Sequence, residues 1–135
     1  MPWRAAKLSV LLGIALIALI LGGAGGNYLR DAQKRSYDAI RMTRGDPHKA
    51  QSAIKQYGCA ACHDIPGVHS PGGLAGPSLS GIAQRLYVGG AIENTPENLV
   101  RWIVNPKQIN AKTAMPVTGI SESEARNVAA YLYEH

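Results

Sequence analysis

Cys59 and Cys62 stand three positions apart, and His63 follows the second directly. A thiol pair at that spacing with an adjoining imidazole is the attachment pattern for a c-type haem. The two sulfurs meet the two vinyl groups on one edge of a porphyrin, and the next residue presents its ring nitrogen to the iron. The chain has 2 cysteines in all, so both are committed to this stretch. Competing chemistries lack their context. A thioredoxin-like dithiol needs a βαβ setting, and no alternating apolar strands follow Cys62. A structural zinc site needs four closed ligands, and only the scattered His48, His69 and His135 remain to complete one. A Cys59–Cys62 disulfide would close a small strained loop and staple nothing.

His63 would fill one axial position of the iron, and something must fill the other. Apart from Met1, the methionines are Met42 and Met115. Met42 lies upstream of the haem helix and reads as a surface residue. Met115 sits before Pro116 in a loop, from Asn105 to Gly119, that can bring a thioether over a haem face. His48 and His69 are rival ligands, but His69 is too close to His63 to reach the opposite face easily. A His63/Met115 pair raises the reduction potential and leaves no open coordination site. Such a centre passes electrons and does not activate a substrate, so an enzyme is not expected.

The elements that must position these groups read as helices and loops. At 135 residues the chain holds one small domain and an appendage. Asp46-Pro47 is a helix start, with a capping carboxylate and proline in the first turn. The helix carries Ala50, Ala53, Ile54 and Tyr57 and stops at Gly58, just ahead of Cys59. Residues 65–80 are rich in Gly and Pro and form a loop. Thr95-Pro96 caps a second helix with Leu99, Val100, Ile103 and Val104 on one face, ended by Asn105-Pro106. Ser121 and Glu124 form a capping box that launches a last helix, with Ala125, Val128, Ala129, Tyr131 and Leu132 inward. No strand is expected. The fold class is all-α: a small domain, residues 46–135, wrapped on one covalent haem c.

Residues 8–26 carry no charge, and Arg4 and Lys7 precede them. The run reaches the roughly 20 residues that span a bilayer as a helix. Its positive start and small residues also suit a cleavable signal peptide, the alternative to a transmembrane anchor over 1–26. Gly22 and Gly26 lie at a small-xxx-small spacing that suits packing against another membrane helix; they equally suit a loosened helix end. Residues 27–45 are charged and weakly amphipathic, either a helical continuation of the anchor or a solvated linker. The formal net charge is +5, and all of it falls in residues 1–45, since Lys/Arg and Asp/Glu balance in 46–135. No nucleic-acid partner is implied; the basic excess flanks the membrane segment.

The run Glu97 to Lys107, continued through Thr113-Ala114-Met115, resembles the segment leading to the methionine ligand of class I, mitochondrial-type cytochromes c. Gly76-Pro77-Ser78-Leu79 resembles that family's Gly-Pro-Asn-Leu turn. The resemblance covers 46–135. It implies that the Pro77 carbonyl accepts the proton of His63's other ring nitrogen, fixing the tautomer. It implies Arg85 near a haem propionate, and a similar polar role for Thr113. Trp102 takes the place of a tyrosine beside the methionine sulfur, and an indole can donate a hydrogen bond but not accept one. Ala50 and Ile54 replace the family's Gly and aromatic in the first helix, so the crossing with the last helix would be rebuilt around Tyr131 or Tyr133.

The expected function is a one-electron carrier anchored in a bacterial cytoplasmic membrane. It would lie between a quinol-oxidising complex or dehydrogenase and a terminal oxidase, with Lys107 and Lys112 at the docking edge. Haem is joined to c-type thiols outside that membrane, so the N-terminus would be inside and the haem domain on the outer, periplasmic face. A fixed subunit of a larger respiratory complex and a soluble periplasmic cytochrome are the alternatives.

Overall fold

A computed structural model describes residues 2–69 and 75–135; the part of the Gly/Pro-rich loop at 70–74 lies outside the described residues. The chain divides into two compact units, Met1–Lys34 and Arg35–His135.

The first unit is helical, within a helix α1 whose bounds are Pro2–Thr43. Every large apolar side chain from Val10 to Leu21 is more than half exposed. The helix is long and apolar enough to cross a membrane. An apolar surface on all sides, uncovered by protein, suits lipid rather than water.

The second unit opens with the last turns of α1. Thr43 is fully buried, and its hydroxyl donates to the Ala39 carbonyl at 2.7 Å and accepts from Gly45 N at 3.1 Å. Arg44 adopts a left-handed backbone, φ 57°, which closes the helix. The chain then passes against the C-terminal helix α5 (Glu122–Glu134). Arg126 Nη1 donates to the Thr43 carbonyl at 3.0 Å, and Asp46 N donates to Asn127 Oδ1 at 2.8 Å. A Cβ on Gly45 would lie 2.0 Å from the Arg126 carbonyl oxygen, so only glycine permits this approach.

Asp46 accepts from His48 N at 3.0 Å and starts a 3-10 turn, Pro47–Lys49, that continues into α2 (Ala50–Gln56). Ala50, Ala53 and Ile54 of α2 are buried, as are Ala125, Val128, Ala129 and Leu132 of α5, the helix on which α2 packs. Small residues on both faces let the two backbones approach, in place of a glycine–aromatic crossing. Tyr131, itself buried, donates from its OH to the Pro66 carbonyl at 2.6 Å, and Tyr133 OH donates to Asn94 Oδ1 at 2.9 Å.

Helix α3 (Pro96–Val104) is capped by Thr95, whose hydroxyl accepts from Asn98 N at 3.2 Å, and buries Leu99, Val100, Trp102 and Ile103. A cap of this kind contributes about 1 kcal/mol. Asn105 both closes α3 and opens a further short helix, α4 (Pro106–Ile109), by accepting from Gln108 N at 3.1 Å. Beside the helices, the described residues hold a small antiparallel hairpin, β1 (Tyr87–Val88) and β2 (Ile92–Glu93), with Val88 opposite Ile92, and an isolated antiparallel bridge between Ile65 and Val68. Gly89 and Gly90 have φ of 56° and 66°, and Ala91 N donates to the Val88 carbonyl at 3.0 Å. Two positive φ values in succession make the turn that favours such a hairpin, and glycine allows both without strain.

Candidate functional site

Gly58, with φ 69°, ends α2 and turns the chain into a 3-10 turn, Cys59–Ala61. His63 N donates to the Cys59 carbonyl at 3.0 Å, so the pentapeptide is wound into one tight coil. Both thiols are free and half-buried. Burial pushes the Cys59 thiol up from its ordinary pKa.

The imidazole of His63 is held on one edge and against one side. Its Nδ1 lies 2.7 Å from the Pro77 carbonyl oxygen. With the proton on Nδ1, that carbonyl accepts it, and Nε2 keeps a lone pair for a metal. Gly76 lies against the ring, where a Cβ would come within 2.5 Å of Cε1 and 2.6 Å of Nδ1. The Gly76–Leu79 turn is stitched to the histidine segment at several points. Gly76 N donates to the Cys62 carbonyl at 2.8 Å, Leu79 N to the Asp64 carbonyl at 2.7 Å, and Ser78 Oγ to Asp64 Oδ2 at 2.9 Å. Arg85 adds a further tie, donating from Nη2 to the Ser78 and Ser80 carbonyls at 2.5 and 3.1 Å. Its Nε and Nη1 have no protein partner among the described residues.

Trp102 is 8% exposed and lies against Gly89, whose Cβ, if present, would meet the indole at 2.2 Å. The indole N–H has no protein partner among the described residues. Thr113 turns its hydroxyl into its own loop, accepting from Met115 N at 3.2 Å. Met115 is half-buried and packs against the core, together with Cys59, Ala60, Val68 and Leu79. Lys107 is placed otherwise than as a free docking charge: its ammonium donates to the Thr113 carbonyl. Lys112 is exposed, and its backbone N donates to Asn110 Oδ1 at 3.0 Å.

Asn94 is a residue that the sequence reading missed. Its Nδ2 donates to the Ile82 and Arg85 carbonyls at 2.7 and 2.9 Å, its N donates to the Leu86 carbonyl at 2.9 Å, and its Oδ1 accepts from Tyr133. It thus fixes the backbone of Arg85 from the far end of α5. Its position, one residue ahead of the Thr95-Pro96 cap, was the available signal, since Asn is favoured where side chains must satisfy turn backbones.

The donor set fits a covalent c-type haem. Two free thiols at the attachment spacing precede an imidazole with one nitrogen hydrogen-bonded and one available, and a thioether lies among the same apolar residues. A glycine keeps the imidazole's side clear. Among the described residues no cluster of three or more His, Cys, Asp or Glu side chains is placed to hold a metal ion.

The chain is similar to the cytochrome c oxidase subunit 2 of Alkalihalophilus pseudofirmus, 29% identical over 86 residues, which is 63% of this chain and 24% of that protein. It thus spans about a quarter of the length of the curated relative it matches. No solved structure matches it. The model of the cytochrome c family matches residues 47–135, which hold the thiols, the imidazole and the thioether, and the chain belongs to that family.

Proposed function

We propose that this cytochrome c domain is a one-electron carrier held to the outer face of a bacterial cytoplasmic membrane by its N-terminal helix. Cys59 and Cys62 would hold one covalent haem c, and His63 and Met115 would ligate its iron. The bound haem supplies the one-electron couple; the chain supplies everything that tunes and protects it. The observation that carries this reading is the pinned imidazole: Nδ1 is occupied by the Pro77 carbonyl at 2.7 Å, so a single nitrogen is left to coordinate. Hydrogen bonding at Nδ1 fixes the ring's orientation and raises its basicity. The Met115 thioether, as the second iron ligand, would close the site to exogenous ligands. Arg85 Nε and Nη1, the Trp102 N–H and the Thr113 hydroxyl proton are donors for propionate or sulfur. The donor to the carrier would be a quinol-oxidising complex or dehydrogenase, and the acceptor a terminal oxidase.

A second reading, a fixed subunit of a respiratory complex, is favoured by the likeness to an oxidase subunit. Gly22 and Gly26 would pack against a neighbouring membrane helix; a Cβ on either meets nothing within 4 Å in the isolated chain. A haem-stained native gel of mildly detergent-extracted membranes separates the two. A small haem-bearing species in the membrane fraction supports the carrier, and haem travelling with a large assembly supports the subunit. Haem solely in the soluble periplasmic fraction would overturn the anchor, leaving a cytochrome whose first segment is cleaved.

A further inference from the structure

The loop that carries Met115 has few hydrogen bonds to hold it. From Thr113 to Thr118 only Thr113 and Met115 make any with the described residues. Two of these bonds are local: Thr113 N donates to the Asn110 carbonyl at 3.1 Å and Met115 N to Thr113 Oγ1 at 3.2 Å. The remaining bond comes from a side chain of the preceding helix. Lys107, in the first turn of α4, donates its ammonium to the Thr113 carbonyl. Helix α4 is itself anchored: Asn105 caps it and Pro106 is fully buried. Lys107 therefore ties a fixed element to the peptide two residues ahead of the thioether. Lys112, five positions on and also exposed, makes no such side-chain bond with the described residues.

We infer that Lys107 is a positioning residue for Met115, latching the ligand loop closed from α4, and that its charge serves this contact rather than docking. The inference rests on Met115 being an axial ligand. A hydrogen bond from a charged donor to a carbonyl is stronger than a neutral one. In a segment with so few others, its loss raises the population in which the loop has swung away and the iron is open to an outside ligand.

The test is an imidazole titration of the ferric full-chain protein in detergent, following the far-red thioether-to-iron charge-transfer band. Imidazole competes with the thioether, so its apparent affinity reads the fraction of open loop. Lys107→Gln should raise that affinity about five-fold, the scale of one exposed charged hydrogen bond. Lys107→Met should do the same, and Lys107→Arg and Lys112→Gln should stay within about two-fold of wild type on that scale. The affinities should be insensitive to added salt, unlike a docking rate. Unchanged affinity in both Lys107→Gln and Lys107→Met overturns the latch, as does an equal rise in Lys112→Gln, which would make it a general charge effect. A wild-type protein without the charge-transfer band overturns the Met115 ligation and the latch with it, so the two failures are distinguishable.

Discussion

Replacing Gly76 by alanine should dislodge the imidazole of His63. The added Cβ would stand 2.5 Å from Cε1, 2.6 Å from Nδ1 and 3.0 Å from Nε2. Ordinary contact begins near 3.4 Å, so about 0.9 Å of separation must be found. The glycine backbone has little room to supply it, because Gly76 N is bonded to the Cys62 carbonyl at 2.8 Å and the next residues are tied to Asp64. The ring must move instead, and the 2.7 Å Nδ1–Pro77 contact opens toward about 3.5 Å, beyond a useful hydrogen bond. Overpacking costs about 1–3 kcal/mol, and the lost bond adds about 1 kcal/mol. For a unit of this size the two together lower the melting temperature by roughly 10–20 °C. Thermal unfolding of the ferric protein followed by far-ultraviolet circular dichroism measures this, with the exposed neighbour Ala75→Ser as control. The reduction potential should rise as well, because an imidazole without its carbonyl partner is a poorer donor to ferric iron. A Gly76→Ala protein with wild-type melting and a still-protected Nδ1 proton would refute the reasoning.

Gly45→Ala should undock the end of α1 from α5, since its Cβ would meet the Arg126 carbonyl at 2.0 and 2.2 Å and Asn127 N at 2.7 Å, backbone that cannot rotate away. The loss, about 3–5 kcal/mol, should appear in urea unfolding together with a new tryptic cut at Arg44; unchanged resistance at Arg44 would sink the idea. Glu124 accepts from Ser121 N, Ser121 Oγ and Tyr57 OH at 3.1, 2.5 and 2.9 Å. These bonds, chiefly those from Ser121, hold its carboxyl below the usual carboxylate range, while the same contact pushes the Tyr57 hydroxyl up. The resulting stability is fully present above the ordinary glutamate value, about pH 4.3, and is lost as the pH falls through the lowered native value. The gap between wild type and Glu124→Gln should therefore be constant near neutrality and shrink in acid; a gap that widens in acid would contradict the assignment.

The helical part of the fold was legible because its ends are written in side chains that do one thing. Thr95 ahead of Pro96, Asp46 ahead of Pro47, and Ser121 three residues before Glu124 each satisfy orphan backbone donors at a helix start. Asn105-Pro106 was read as a stop and is also a start, for a residue that ends one helix can cap the next. The hairpin escaped because two-residue strands leave no alternating pattern; Gly89-Gly90 was its only local mark. At the site, the chemistry of Cys59, Cys62 and His63 is local and could be read directly. What the spacing could not convey is contact between distant segments. The approach of Gly76 to the imidazole, the Asn94 bonds that fix Arg85, and the Lys107 bond to Thr113 exist only once loops have folded together. Lys107 shows the physical reason best: an exposed lysine carries the same letter whether it meets a partner protein or its own backbone.

Carbon monoxide added to the reduced, detergent-extracted full-chain protein at neutral pH tests the central claim most directly. On the proposed reading, His63 and Met115 would both ligate the haem iron and leave no free position, so the absorption bands should stay unchanged while a Met115→Ala variant binds the gas completely. Rapid and complete binding by the wild-type protein would contradict the account and place an open iron site where an electron carrier has none.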